Sequence, residues 1–386
     1  MKRFLMGLIS LLFALILTSC WDIKSLQDVN YFTGIGIDYK NNKYQIYIQQ
    51  LNFSSVAKTE GGKLSTPAEV WVGHAEGESI SQAVIELYQT TQQTVFWGHL
   101  SSIILSEDVL KHGNLLAVFD ALMRSPEIRY TPWIYGSKKD MRELLTTKPF
   151  FNLSPLNSIL YSPETNYNQR PIITPMRTSQ FIRDLREPGK MVFLPSLSIS
   201  DGTWTANKKP DPKLEVDGVF AMHDDSFKSW VDYKDLTGLR WFKNRTLTSR
   251  IFLRKNNSNV ATLKIAKPKS KIRINISNGE PVFNIEVSAA AILLELWTQT
   301  SEKELENLAN KLIAEEIRST FQNGMKRQID LLRLEHVLYR KKFKLWKKLT
   351  SNGKVALHPI KLGEVTVKIK VVQSGMYKLK RKMTPH

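Results

Sequence analysis

Apolar and polar positions along this chain alternate with two periods, two residues and three to four. Residues 31–38 read as a strand, Lys40-Asn41-Asn42-Lys43 as a turn, and residues 44–49 as the returning strand of a hairpin. The polar stretch 54–67, with Gly61-Gly62 inside it, predicts an exposed loop before a strand over 69–73. Ser79 and Gln82 have the spacing of a capping box. Ile80, Ala83, Val84, Leu87 and Tyr88 then recur at helical intervals and predict a helix to residue 92. A strand over 101–105, helical pieces over 107–111 and 114–123, and a short strand over 133–136 follow, an interleaving typical of an α+β domain.

Prolines punctuate the polar stretch 150–175, and residues 178–185 predict a short helix. Residues 201–213 contain Lys208, Lys209, Pro210 and Pro212 and read as a linker, so the domain boundary is expected there. Beyond it, residues 218–222, 260–265, 271–276 and 282–287 read as strands, the last two joined by the hairpin signal Asn278-Gly279. Ser301 and Glu304 form a second capping box. Leu305, Leu308, Leu312, Ile313, Ile317, Phe321 and Met325 then predict a helix of about thirty residues or more. Val365, Val367, Ile369 and Val371 alternate with polar residues and supply a last strand. The second half therefore reads as a meander sheet backed by one long helix. The expected fold is mixed α+β and multi-domain, each domain a central, largely antiparallel sheet with flanking helices.

The N-terminus follows neither period. Lys2 and Arg3 precede a nearly unbroken apolar run over 4–17, and small residues close it, the three parts of a secretory signal. The run is short of the ~20 residues a helical membrane span requires, and the most apolar later stretch, 289–296, is shorter still. Leu17-Thr18-Ser19-Cys20 resembles the lipobox of bacterial lipoproteins. That resemblance implies cleavage after a signal peptide of residues 1–19, with a diacylglyceryl group on the sulfur of Cys20 and N-acylation as a further possibility. Cys20 is the only cysteine, and lipidation accounts for an exported thiol with no disulfide partner. Two acyl chains would hold with on the order of 20 kcal/mol.

Charge then narrows the partners. The 386 residues carry 55 Lys and Arg against 36 Asp and Glu, a net charge of +19. Export favours anionic lipid headgroups or wall polymers over nucleic acid, at about 1 kcal/mol per basic residue near the surface. The basic stretch 340–348 places Phe343, Trp346 and Leu349 on one side of a predicted helix and Lys341, Lys344, Lys347 and Lys348 on the other. It suits a membrane surface or an acidic partner; alternatively the two aromatics pack into the core and leave the lysines solvated. A basic tail, 377–386, ends the chain.

No catalytic set emerges. The 7 histidines, at 74, 99, 112, 223, 336, 358 and 386, lack the i, i+4 spacing of a helical zinc site. There is no Gly-rich phosphate loop and no Gly-x-Ser-x-Gly elbow. His99 reads as a structural histidine at the turn before a strand, and the pairs Asp224-Asp225 and Glu315-Glu316 read as solvated carboxylates. Neither a metal nor a cofactor is expected.

The order of short motifs resembles the Ger(x)C family, the C-subunit lipoproteins of spore germinant receptors. The family begins at its lipobox cysteine with Cys-Trp-Asp and an apolar strand ending Gly-x-Asp, here Cys20-Trp21-Asp22 and Gly36-Ile37-Asp38. Trp97-Gly98-His99-Leu100, the stretch from Arg124 through Ser125-Pro126-Glu127 to Arg129, and Gly218-Val219-Phe220-Ala221 with Gly238-Leu239-Arg240-Trp241 behind it are similar to later family segments. The resemblance implies a non-enzymatic subunit, lipid-anchored on the outer face of the spore inner membrane. It would act with membrane-embedded A and B subunits that respond to nutrients, and would fold as three domains, each a central sheet with flanking helices. The implied layout is a signal over 1–19, an N-terminal region over 20–200, the linker 201–213, a C-terminal domain over 214–376 and the basic tail. A solute-binding lipoprotein serving a transporter is the alternative, although the predicted hairpins disfavour its mostly parallel sheets.

Overall fold

The computed structural model describes residues 29–51, 69–242, 248–351, 353, 357 and 359–373. The first sheet takes β1 (Val29–Lys40), β2 (Lys43–Leu51), β3 (Val70–Gly77), β4 (Thr94–Phe96), β5 (Ser102–Ser106), β6 (Trp133–Ser137) and β7 (Val192–Ser200). A small hairpin of β8 (Thr205–Ala206) and β9 (Lys209–Pro210) then leads to β10 (Lys213–His223) and β11 (Ser226–Asp232), which rejoin it. The nine strands run in the order β11-β10-β7-β6-β5-β1-β2-β3, with β4 beside β1.

Antiparallel pairing holds at both flanks of this sheet, while β1, β5, β6 and β7 pair parallel in its middle. The parallel centre follows from the helices, which carry the chain back across the sheet between successive strands. These are α1 (Ile80–Tyr88), α2 (Glu107–His112), α3 (Leu115–Met123), α4 (Met141–Thr146), α5 (Pro163–Gln169) and α6 (Thr178–Leu185). Strands covered on both faces bury nearly every side chain, so β1 is buried from Tyr31 to Asp38 and β5 throughout. Ile35, Ile37, Ile103 and Leu105 pack with α1, α2, α3 and α6 on one face, and Met141, Leu144, Tyr135 and Tyr161 fill the other. Helix α1 stops at Tyr88, short of the expected residue 92, because the hydroxyls of Thr90 and Thr91 turn back onto the carbonyl of Leu87.

The stretch 201–213 joins two neighbouring strands of the first sheet. Leu214 to Met222 of β10 lie antiparallel against Ile199 to Val192 of β7, so 201–213 is a hairpin connection within one continuous sheet. The chain leaves that sheet only after β11, through a 3₁₀ segment at Tyr233–Trp241.

The second sheet runs β12 (Thr248–Lys255), β13 (Ser258–Ser277), β14 (Glu280–Leu296) and β15 (Lys361–Gln373) in that order. The two strands expected over 260–265 and 271–276 are one strand, with a bulge between Ala266 and Lys269. Asn278 and Gly279 take φ of 52° and 80°, the left-handed pair a tight hairpin requires. Three strands form the meander, and β15 joins β14 in parallel after a helical crossover. That crossover holds α7 (Glu302–Lys326), α8 (Leu334–Lys341) and α9 (Phe343–Leu349).

Helix α7 has 25 residues and ends earlier than expected, where Gln328 takes a φ of 56° and Ile329 N–H reaches the Gly324 carbonyl at 2.9 Å. Its buried stripe is Leu305, Ala309, Ile313, Ile317, Thr320 and Gly324, with Leu308, Leu312 and Phe321 on the flanks. The small residues at its C-terminal end let the 3₁₀ segment press close. Gly238 donates its N–H to Thr320 Oγ1 at 3.0 Å, and a Cβ on Gly238 would lie 2.7 Å from the Glu316 carbonyl and 2.9 Å from the Ile317 Cα. Among the described residues no helix is long and apolar enough to cross a membrane.

Candidate functional site

The lipobox residues Leu17, Thr18, Ser19 and Cys20, with Trp21 and Asp22, lie outside the described residues, as do the predicted loop 54–67 and the basic tail. The first described residues lead directly into a cluster built from the family-like motifs. Val29, Asn30 and Tyr31 pair in parallel with Thr94, Val95 and Phe96, which brings the start of β1 against Trp97-Gly98-His99. The Tyr31 ring meets His99 edge-on at 5.1 Å, and Phe32 meets Trp97 at 5.0 Å. Trp97 is buried, donates its indole N–H to the Tyr88 hydroxyl at 2.7 Å and its backbone N–H to Glu127 at 2.9 Å. Glu127 therefore ties the 124–129 stretch to the Trp-Gly-His turn. Arg124 instead pairs with Asp120 on the helix surface, and Arg129 is exposed.

Asp38, at the far end of β1, is buried. Burial alone would raise its carboxyl, but hydrogen bonds from Lys40, from the Ser106 hydroxyl and from the Tyr39 N–H outweigh burial and hold it below the usual carboxylate range. Lys40 Nζ sits 2.7 Å away. Gly36 keeps the same strand bare where α4 crosses it, since a Cβ there would be 3.0 Å from Met141. Asp38 thus lies at the far end of β1 from Tyr31, whose ring meets His99. Among the described residues no group of three or more His, Cys, Asp or Glu could hold a metal ion.

The basic stretch folds as two short helices, α8 and α9, broken at Lys342 with φ −140° and ψ 53°. Its aromatics divide. Trp346 is buried, donates its indole N–H to Glu335 at 3.1 Å and meets Tyr339 edge-on, whereas Phe343 is half exposed. Lys344, Lys347 and Lys348 are solvent-exposed, and Lys341 spends its ammonium on the Ile272 carbonyl. Three of the four candidate lysines therefore form an exposed basic surface.

The Gly238-Leu239-Arg240-Trp241 segment makes a polar cluster that sequence reasoning assigned to solvent. Glu316 accepts from Trp241 Nε1 at 2.8 Å and from Arg240 Nε at 3.2 Å, with a second contact to Arg240 Nη2. Arg240 also reaches the Ser249 hydroxyl and the Arg250 carbonyl. Glu316 is thus a structural acid, and the signal that could have found it is the Arg-Trp pair needing an acceptor. Around it the two halves share a further core, in which Ile329 and Leu331 pack against Met191, Phe193, Val219 and Ala221 of the first sheet.

Residues 22–199 match the family described as "Spore germination protein N-terminal domain", and residues 217–375 match "Spore germination B3/ GerAC like, C-terminal". Spore germination protein KC of Bacillus subtilis is 24% identical over 371 residues, covering 90% of each chain. Spore germination protein B3 of the same organism is 22% identical over 319 residues, covering 82% of this chain and 80% of its own. The crystal structure of the GerBC protein superposes on 91% of this chain and all of its own with a TM-score of 0.56 at 16% identity, which shows a shared fold. With both domain matches in chain order and relatives spanning its length, the chain belongs to the Ger(x)C family of spore germination proteins.

Proposed function

We propose that this chain is the lipid-anchored C subunit of a nutrient germinant receptor and serves spore germination. Cys20 would hold it on the outer face of the spore inner membrane, in complex with membrane-embedded A and B subunits. The observation that carries this reading is the lipobox-like Leu17-Thr18-Ser19-Cys20, set directly ahead of a body that matches spore germination proteins from residue 22 to residue 375. Cys20 precedes Val29, the first residue of β1, by nine residues, so the anchor would keep the start of β1 within about 30 Å of the headgroups. The exposed Lys344, Lys347 and Lys348 suit anionic lipid or an acidic partner. In this reading the subunit acts by binding and positioning rather than turnover, which the structural contacts of Asp38, Glu316 and the aromatic neighbours of His99 support.

The test is metabolic labelling of spores with an alkynyl fatty acid, followed by membrane fractionation and pull-down of tagged A and B subunits. The native chain should label, sediment with membranes and bring down both partners. Cys20→Ala should lose the label, leave the membrane fraction and impair germination to at least one nutrient. A Cys20→Ala chain that still labels and sediments would sink the anchor, and a membrane-bound chain that brings down neither partner would sink the complex.

A further inference from the structure

A cavity of about 620 Å³ lies where the two halves meet, within the size range of ligand sites, about 300–1,000 Å³. The first half contributes Ile172, Phe193 and Val219 to its wall, and the second contributes Leu239, Ile272 and Leu332. The charges on this wall are all of one sign. Arg333, Arg340 and Lys341 line the cavity together with His336, and no carboxylate does.

Arg333 is the most telling of these. Its backbone is left-handed, with a φ of 56°, which fixes the direction of a side chain that lies over the Phe193 ring at 4.4 Å. Its Nε is sealed from solvent and has no hydrogen-bond partner, and among the described residues no carboxylate comes within ion-pair distance of its guanidinium. Two acids, Asp184 and Asp330, act on it through space without pairing with it. Asp184 is held by Arg183 at 3.0 Å and Lys190 at 2.8 Å, while Asp330 accepts the Glu335 N–H on Oδ2 at 2.8 Å and its buried Oδ1 reaches no hydrogen-bond donor among the described residues. Burial pushes the Arg333 guanidinium down from its ordinary range, and the charges of Asp184 and Asp330 offset only part of that push. Arg340 and Lys341 are exposed and stand at the cavity's outer edge.

We propose that this cavity binds a small apolar carboxylate, a ring or short alkyl body ending in an anion, with Arg333 as its counter-charge. The apolar body would fill the walls shared by both halves, so the ligand would clamp them together and raise stability by mass action. A zwitterion such as a free amino acid is disfavoured, because among the described residues the wall offers its ammonium no carboxylate. This site is separate from the Trp97–His99 cluster and from the basic face of α9.

The probe pair is 4-phenylbutyrate and 4-phenylbutylamine, which share an apolar body and differ in charge, titrated calorimetrically into the purified full chain. One phenylbutyrate should bind per chain, with the amine at least about tenfold weaker, as a charge-assisted contact of about 1.5 kcal/mol or more requires. Arg333→Met should weaken phenylbutyrate by about tenfold or more, and Arg333→Lys should recover part of the loss. Val337→Trp, which keeps Arg333 and fills the space, should also lose binding while unfolding at a temperature close to that of the native chain. The proposal fails if native protein binds no phenylbutyrate, if the amine binds as well as the acid, or if folded Val337→Trp binds like the native chain.

Discussion

The indole N–H of Trp241 donates to the carboxylate of Glu316 at 2.8 Å, although the two residues are 75 positions apart and sit on different elements. The same carboxylate carries the Arg240 guanidinium, so a single acid on α7 fixes the segment by which the chain leaves the first sheet. Trp241 is fully buried, and the Arg240 and Glu316 side chains are 12% and 16% exposed. Glu316→Ala leaves a buried indole N–H and a mostly buried cation without their acceptor. The expected loss is about 2–3 kcal/mol in urea unfolding, less than a fully buried pair would show. A loss below about 0.5 kcal/mol would mean that water replaces the carboxylate at no cost.

Gly238→Ala tests the closeness of the same junction by shape alone. The added methyl meets helix backbone at 2.7 Å and 2.9 Å, and backbone cannot swing aside as a long side chain can. The expected destabilisation is about 2–3 kcal/mol. Gly202→Ala, where nothing lies within 4 Å of the new Cβ, should change stability by no more than about 0.5 kcal/mol. Equal effects at the two positions would contradict the packing described.

Asp330 gives the junction a pH dependence with a definite sign. Burial raises its carboxyl to about 6, against the pull of the Glu335 and Leu334 N–H groups, and its Oδ1 is buried without a partner. The folded state therefore binds a proton that the unfolded chain, with an ordinary value near ~3.9, has released. This contribution to stability is complete below about pH 4 and is lost as pH rises through about 6. Asp330→Asn should flatten that part of the profile, gaining up to about 3 kcal/mol relative to the native chain between pH 4 and pH 7. Parallel profiles for the two proteins would show that Asp330 is ionised throughout.

The aromatic and basic residues of α9 should separate in their effects. Trp346→Ala removes a buried indole and its bond to Glu335, with an expected cost of about 3–5 kcal/mol. The triple change Lys344→Glu, Lys347→Glu and Lys348→Glu alters only exposed positions and should leave stability within about 0.5 kcal/mol of native. It should weaken co-sedimentation with phosphatidylglycerol vesicles at low salt, and the difference should vanish near 1 M salt. Vesicle binding that ignores both the charge reversal and the salt would remove this face from consideration.

Local chemistry was legible in the sequence wherever a short segment determines its own shape. Ser79 and Ser301 accept from the N–H groups of Gln82 and Glu304, as capping-box spacing requires, and Asn278-Gly279 turns the predicted hairpin. Pairing partners were not legible, because a strand buried on both faces, such as β1 or β5, reads the same whether its neighbour runs parallel or antiparallel. Arg333 and Asp330 were hidden for a related reason. In Ile329-Asp330-Leu331-Leu332-Arg333-Leu334-Glu335 the charges recur as they would on an exposed helix, and only the return of this segment against Phe193 buries them. The proline-rich stretch 201–213 carries the composition of a linker, yet the strands on either side of it are neighbours in one sheet.

That last arrangement bears on how the protein is made. Once residue 199 has been synthesised, the sheet ends at β7, whose outer backbone groups await β10 and whose Ser196 hydroxyl awaits the Trp230 indole, 3.0 Å away in the finished fold. An exposed, unpaired strand edge of this kind invites pairing with other chains. The hazard lasts until residue 232 has emerged, so a nonsense mutation or a cut between the two family segments leaves an adhesive fragment where a free-standing half would be expected.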